Sequence, residues 1–345
     1  MSEIKVVVEQ ILLLLVVGLI GFMAGRLKYL PAYSDKVISA LVVKITAPLM
    51  IVTKMYNMEF DSEDYVTGIK LYLFAIVFLL LGYAISLFFR KICKIEGATA
   101  RVFSLQMMFG NVIYFAIPLI SALAIRMPDT WGKGIAYAMF FALGNDTVMW
   151  TLGISLISNK KNEDKKMRIK HLANNNSIAF VLGLILLLIG ARGHVEQINP
   201  QTSSQFLCTI KDLLNILIGK LTEIGSMTAI LSIIFIGLMM SKINMSSVVR
   251  DYKTKYPLLI SSAIKLLLLP VTSILMLKIF GGILPYEPAK VLVIQLAMPA
   301  GTLVAALTGE YDSDPEFAAQ GVFVSTVLLI ITLPAVLWLG DMLLK

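Results

Sequence analysis

Two apolar stretches contain residues that could bind a small anion. Residues 109–120 have Asn111 directly after a glycine, followed by Pro118, and residues 295–306 have Pro299 near their middle. Proline removes a backbone donor and clashes with the preceding turn, so both stretches predict helices that break. A helix that restarts after a break presents free N–H groups and the positive end of its dipole. Such ends suit a carboxylate.

Polar side chains beside the two breaks could complete an anion site. Asn111, Gln295 and Thr302 interrupt otherwise apolar sequence, and Gly301 adds backbone freedom to the second break. A polar residue within a span often only bonds a neighbouring helix. For Asn111, the glycine before it and the proline after it favour contact with a ligand.

Ionisable residues in the middle of apolar segments are costly and are therefore candidates for function. Lys265 could neutralise an anionic ligand, or form an ion pair with Asp146 or Glu223. Asp146 could carry a proton or be the partner of a buried lysine. Lys44 could face a cavity or bond backbone carbonyls, and Glu223 could lie near the outer surface.

The composition places these residues in a membrane protein. Of 345 residues, 58% are hydrophobic and 15% charged, whereas soluble proteins have about 45–50% apolar and about 25% charged residues. The net charge of +8 does not indicate a nucleic-acid partner, because the basic residues are scattered among short loops. Cys93 and Cys208 fall in segments predicted on opposite membrane sides, so no disulfide is expected. His171 and His194 lie in loops, so no metal site is expected, and no other cofactor is predicted. ATPase, hydrolase and zinc-protease motifs are missing, so we expect no enzyme.

Apolar segments of about 20 residues can cross a bilayer as helices. Ten are predicted, at 4–25, 36–57, 66–90, 101–125, 134–158, 177–191, 212–241, 254–280, 288–309 and 315–343. The loops after odd-numbered spans hold most of the Lys and Arg residues. By the positive-inside rule these loops face the cytoplasm, which places both termini outside the cell membrane.

A basic run divides the spans into two groups of five. Residues 1–158 form the first repeat, residues 159–176 a cytoplasmic linker and residues 177–345 the second repeat. An odd number of spans in each half requires that the two halves have opposite orientations. The predicted fold is thus an all-α polytopic membrane protein of ten helices in two inverted five-helix repeats. Interrupted spans in matching places of such repeats point to a transporter binding site.

The sequence resembles the auxin efflux carrier family, which includes bacterial malate and malonate carriers and looks related to bile acid–sodium symporters. The resemblance is carried by GNVIYFAIP (110–118), ANNNSIAFVLGL (173–184), the spacing between Lys265 and Pro270, and the stretch 295–334. It implies that the fourth and ninth spans cross at their breaks and that the ligand carboxylate lies beside this crossing. It also implies a scaffold of spans 1, 2, 6 and 7, and a homodimer formed through them.

The resemblance extends to single residues. In the fourth span, Asn111 and Pro118 match the family's Asn and Pro. In the ninth span, Gln295 and Pro299 match its Gln and Pro. Asn174, Asn176 and Ser177 match the plant Asn-Pro-Asn-Thr motif, and Asn175 stands in this chain where the motif has its proline. Glu223 falls where plant members carry Asp, and Lys44 has no counterpart.

The sequence therefore predicts a secondary transporter of small organic anions, mono- or dicarboxylates, that works by alternating access. The candidate substrate-binding residues are Asn111, Pro118, Gln295, Pro299, Gly301, Thr302, Asn176 and Lys265. The candidates for coupling or ion pairing are Asp146, Glu223 and Lys44. Proton coupling, sodium coupling and uniport all stay open, as does a membrane anion sensor that does not transport.

Overall fold

The computed structural model describes residues 3–158, 175–198, 204–242, 252–311 and 313–344, and the regular secondary structure of these residues is helical. Seven of the described helices are long and apolar enough to cross a membrane. They are α1 (Glu3–Arg26), α2 (Ser34–Tyr56), α3 (Ser62–Ile92), α6 (Pro128–Ile157), α9 (Gln205–Ser241), α10 (Lys255–Ile279) and α13 (Pro315–Leu344). The described chain is therefore an all-α polytopic membrane protein, as predicted.

Shorter helices complete the described structure. They are α4 (Gly97–Met108), α5 (Ala116–Arg126), α7 (Asn175–Leu188), α8 (Ala191–Glu196), α11 (Tyr286–Leu296) and α12 (Thr302–Glu310). Residues 159–174, most of the predicted basic linker, lie outside the described part of the chain. Asn175 and Asn176, predicted as the end of that linker, already belong to α7.

Both predicted helix interruptions are present. Residues 109–115 separate α4 from α5, and residues 297–301 separate α11 from α12. Pro299 lies within the second interruption. Pro118 does not lie in the first, because it occupies the first turn of α5. A proline is tolerated there, since the first N–H groups of a helix have no partner within the helix.

Helix packing divides the structure into two groups. Helices α1, α2, α7 and α9 pack mainly against one another, and we call them the scaffold. Helices α3 to α6 and α10 to α13 form the second group, which we call the core. The two groups meet chiefly where α1 packs against α5 and α13. The scaffold helices correspond to the spans 1, 2, 6 and 7 that the resemblance implies.

The closest packing in the scaffold is between α1 and α9, and it depends on glycine. A Cβ atom on Gly237 would lie 2.0 Å from the carbonyl oxygen of Gly18 and 2.7 Å from the amide nitrogen of Phe22. A Cβ atom on Gly21 would lie 2.4 Å from the carbonyl oxygen of Ile234. These obstacles are backbone atoms, so a side chain at either glycine would force the two helices apart.

We expect Gly237→Ala to lower the thermal stability of the detergent-solubilised protein. Separating α1 from α9 costs more than the roughly 0.5–1 kcal/mol gained when alanine replaces a helical glycine. Gly219→Ala is the matched control, because Gly219 lies on the same helix and its added Cβ would meet nothing within 4 Å. Thermal unfolding should give a lower midpoint for Gly237→Ala only, and equal midpoints for the two variants would contradict this expectation.

Ion pairs identify the two ends of the helix bundle. Glu3 at the start of α1 and Asp341 near the end of α13 both pair with Lys290 of α11. The start of α1 and the end of α13 therefore lie together, and we call this end of the bundle the terminal end. At the opposite end, Lys242 after α9 pairs with Asp35 of α2 at 2.7 Å.

Candidate functional site

The two interruptions meet inside the protein as a short antiparallel pair, which we call the crossing. It consists of residues 109–111 and 299–301, and Gly110 and Ala300 form an isolated antiparallel bridge at its centre. Each half of the chain thus contributes one break to a shared structure. The sequence motifs predicted the two breaks, and the resemblance implied their contact.

Two backbone hydrogen bonds hold the crossing together. The N–H of Asn111 donates to the carbonyl of Pro299 at 2.8 Å, and the N–H of Gly301 donates to the carbonyl of Phe109 at 3.0 Å. These bonds replace those that continuous helices would have made. Irregular backbone is tolerated at membrane depth when it is buried in protein in this way.

Glycine allows the two strands of the crossing to approach each other. A Cβ atom on Gly301 would lie 3.2 Å from the carbonyl oxygen of Gly110. A Cβ atom on Gly110 would lie 3.1 Å from Cε of Lys265 and 3.3 Å from Cβ of Met298. Side chains at either glycine would therefore press on the opposite strand or on Lys265.

Lys265 is buried beside the crossing, where only 2% of its surface is exposed. Its Nζ donates to the carbonyl of Met108, the last residue of α4, at 3.0 Å. The ammonium therefore lies at the negative end of the α4 dipole, which compensates part of its charge. Among the described residues, neither Asp146 nor Glu223 forms an ion pair with Lys265.

A cavity of about 30 Å³ borders the crossing. Its lining residues are Gly110, Asn111, Val112, Ile113, Tyr114, Asn145, Asp146, Met149, Asn176, Gly301, Thr302 and Leu303. This volume holds roughly one or two water molecules. An organic anion could bind here only if the wall of the cavity moved outward.

Several polar atoms in this wall have no hydrogen-bond partner among the described residues. They are both side-chain heteroatoms of Asn111, Oγ1 of Thr302 and Oδ1 of Asn145, and all three residues are buried. An unpaired buried polar group costs about 1–3 kcal/mol. Such groups are rare in native proteins, so several in one cavity wall indicate a place where a polar ligand could bind.

The N-terminus of a helix gives the cavity a positive electrostatic potential. Helix α12 begins at Thr302 in the cavity wall, and α5 begins a few residues after Asn111. Neither helix has a side-chain hydrogen bond that caps its first turn. The positive end of the α12 dipole and the amide of Asn111 therefore both favour a negative charge in this cavity.

Six of the predicted site residues do not line this cavity. Pro299 belongs to the crossing, Lys265 lies beside it, and Lys44 lines the second cavity described below. The other three lie elsewhere. Gln295 is fully buried, and its Nε2 donates to the carbonyl of Ala138 at 3.2 Å. Pro118 packs in the first turn of α5. The side chain of Glu223 is 67% exposed and pairs with Lys220, one turn earlier on α9, at 2.9 Å. Glu223 thus lies at the surface of the single chain. The sequence had left open this position and an ion pair with Lys265.

A second, larger cavity of about 1060 Å³ lies between scaffold and core at the opposite end, and we call it the vestibule. The scaffold contributes Asp35, Lys36, Ser39, Ala40, Val43, Lys44, Phe235, Met239 and Lys242 to its wall. The core contributes Ala305, Ala306, Gly309, Pro315, Glu316 and Ala319. Since α12 runs from the crossing into this wall, the vestibule leads towards the crossing.

The terminal end has ion pairs between scaffold and core. Glu9 of α1 pairs with Arg126 at the end of α5. Lys290, which is 0% exposed, pairs with Glu3 at 2.6 Å and also with Asp341. Breaking the buried pair between Lys290 and Glu3 would leave an uncompensated charge, so this contact resists separation. The two ends of the scaffold–core boundary therefore differ, with ion pairs at one end and a large cavity at the other.

Sequence analysis missed two polar residues at this site. Asn145 lines the small cavity next to Asp146. Of these two residues, only Asp146 was singled out from the sequence, because of its charge. Ser325 of α13 accepts a hydrogen bond from the N–H of Ala300 at 3.0 Å. A single serine in an apolar span gives no sequence signal of such a role, because serines also bond within their own helix.

Comparison with known proteins agrees with these observations. A family described as membrane transport protein matches residues 6–169 and 162–337, which together are most of the chain. A search of curated proteins finds no match. Members of the matched family are transporters, which supports the prediction that the protein is not an enzyme. The chain belongs to this membrane transport protein family, the auxin efflux carrier family that its motifs resemble.

Proposed function

We propose that this protein is a secondary transporter of small organic anions, mono- or dicarboxylates, and that it holds a substrate carboxylate at the crossing. The observation that carries the proposal is the set of buried, unpaired polar atoms of Asn111 and Thr302 in one cavity wall. An anion at this place would accept hydrogen bonds from the amide and the hydroxyl. It would also lie at the positive end of α12.

The difference between the two ends supports alternating access. In this proposal the chain has ten spans in two inverted repeats, with α4–α5 and α11–α12 as the broken spans, and the core moves against the scaffold. From the distribution of basic loops we propose that the vestibule faces the cytoplasm and that both termini lie outside the plasma membrane. The structure then corresponds to a state closed to the outside, from which substrate leaves or enters through the vestibule. We also propose a homodimer through the scaffold, as the resemblance implies.

The coupling mechanism divides into three alternatives. Asp146 is buried in the cavity wall, so it is the residue we propose as carrier if a proton is coupled. Sodium would need oxygen ligands at the crossing, where carbonyl groups lie close together. Uniport needs neither, because moving one charge through the membrane potential is worth about 2.3 kcal/mol per 100 mV.

The test measures ligand binding first and transport second. Purified protein is screened by thermal shift with a panel of mono- and dicarboxylic acids, and uptake of the acid that binds best is then measured in proteoliposomes. Saturable uptake that depends on the protein supports the proposal. Imposed proton, sodium and voltage gradients then separate the three coupling alternatives. Saturable binding without uptake would contradict transport and favour an anion sensor.

A further inference from the structure

We propose that Lys44 binds the second carboxylate of the substrate and thereby selects dicarboxylates over monocarboxylates. This inference rests on the proposed function, since it needs a first carboxylate at the crossing. It goes beyond that proposal because Lys44 lies in the vestibule and does not line the cavity at the crossing.

Within the described part of the chain, no carboxylate compensates the charge of Lys44. Lys44 is exposed to the vestibule, and no carboxylate of the described residues pairs with it or with Lys36, two turns earlier on α2. By contrast, Lys242 in the same wall pairs with Asp35 at 2.7 Å and donates to the carbonyl of Ala32 at 2.6 Å. The vestibule therefore has two ammonium groups available to an anion and a third that is already occupied.

The acidic residues of the vestibule are engaged elsewhere. Asp35 is bound to Lys242, and Glu316 of α13 accepts a hydrogen bond from Nε2 of Gln320 at 3.1 Å. Neither pairs with Lys44 in the described structure. An incoming dianion would therefore meet Lys44 as an unpaired cation, and charge-assisted hydrogen bonds of this kind are stronger than neutral ones.

A hydrogen bond to its carbonyl and the lining of the two cavities place the backbone of Lys44 close to the crossing. Nδ2 of Asn175 donates to the carbonyl of Lys44 at 3.3 Å, and the next residue, Asn176, lines the cavity at the crossing. On the core side, Ala305 lines the vestibule and Thr302 lines the small cavity. These two residues lie one turn apart on α12, which is about 4.5 Å along the helix axis.

The core wall opposite Lys44 leaves room for a ligand. Ala305, Ala306 and Gly309 face the vestibule on α12. A Cβ atom on Gly309 would meet nothing within 4 Å. A short diacid could therefore lie along α12, with one carboxylate at the N-terminus of this helix and the other near the ammonium of Lys44. A monocarboxylate of the same length would place only an apolar end there.

The local backbone of α2 supports a specific role for this position. A π-helical turn spans Val42–Thr46 and includes Lys44. Such turns within an α-helix shift the direction of the following side chains and occur frequently at functional sites. Lys265 of α10 also lies in a π-helical turn, Ile264–Leu268, and it reaches the crossing from the core side.

The test compares matched acids on purified protein. Dissociation constants for succinate and butyrate, which have the same chain length, are measured by thermal-shift titration for the wild type, Lys44→Gln and Lys44→Arg. We expect Lys44→Gln to weaken succinate binding by roughly tenfold or more, the size expected for loss of a charged hydrogen bond. Butyrate binding should stay the same, and Lys44→Arg should keep most of the preference for succinate.

The controls separate this inference from the proposed function. Lys91→Gln removes an exposed lysine that does not line the vestibule, so it should change neither constant. If Lys44→Gln weakens both acids equally, or neither, then Lys44 does not select dicarboxylates and the inference is overturned. If the wild type binds and transports neither class of acid, then the proposed function fails, and this inference fails with it.

Discussion

Replacing Asn111 with alanine should eliminate the stabilisation of the protein by its ligand while leaving the unliganded protein as stable as before. Asn111 is 3% exposed, and both of its side-chain heteroatoms lack a partner among the described residues. Removing an unpaired polar group relieves a desolvation cost of about 1–3 kcal/mol, which offsets the packing lost. The same change removes an amide donor from the proposed carboxylate site, so uptake should fall by about tenfold or more.

Thr302→Val provides a second variant of nearly the same shape. Oγ1 of Thr302 is also buried without a partner in the described structure, and valine replaces this hydroxyl by a methyl group. We therefore expect equal or higher stability in the absence of ligand, together with weaker ligand binding. Two variants that keep their unfolding midpoint but lose the ligand response cannot be explained by misfolding.

The control for both variants is Asn57→Ala. Asn57 lies just after α2, where its Nδ2 donates to the carbonyl of Thr53 at 2.8 Å, and it does not line the cavity at the crossing. Its replacement should cost some stability and leave the ligand response intact. Thermal unfolding with and without ligand, followed by proteoliposome uptake, measures all three variants. Normal binding and transport by Asn111→Ala would show that the site is assigned to the wrong place.

Local sequence predicted the helix interruptions because their causes are local. Proline and glycine act within one or two turns, so residues 109–120 and 295–306 could be recognised from their own composition. The same reasoning misplaced Pro118, which lies in the first turn of the restarted helix and not in the break. A proline restricts the backbone conformation of the residue before it and clashes with the preceding turn. Both a break and the first turn of a helix satisfy these restrictions, so the sequence does not decide between the two positions.

Long-range partners could not be predicted from periodicity or composition. The bridge between Gly110 and Ala300 joins positions in opposite halves of the chain, and only the family resemblance suggested it. The partner of Lys265 is a backbone carbonyl, which every residue has, so no side-chain pattern marks it. Lys290 is the third residue of the predicted span 288–309, and its full burial between two carboxylates has no local sequence signal. In each case the tertiary packing decides which groups meet.

Cross-linking α1 to α5 at the terminal end should stop transport. Glu9 and Arg126 pair across the boundary between scaffold and core. Alternating access requires this boundary to open when the vestibule closes, so a covalent link would hold the protein in the state described here. With Glu9→Cys and Arg126→Cys in a background in which Cys93 and Cys208 are replaced by serine, a bifunctional methanethiosulfonate should reduce uptake to near background. A reducing agent should restore it.

The design depends on the paired cysteines being harmless before they are linked. The side chains of Glu9 and Arg126 are 38% and 37% exposed, and ion pairs of such exposure contribute only about 0–1 kcal/mol to stability. The matched control is Lys220→Cys with Glu223→Cys, since these residues pair within the single helix α9 of the scaffold. The reagent should cross-link this pair without reducing uptake, because no moving boundary lies between them. If the linked Glu9–Arg126 pair transports as fast as the control, then α1 and α5 stay together throughout the cycle, and the core does not move against the scaffold at this end.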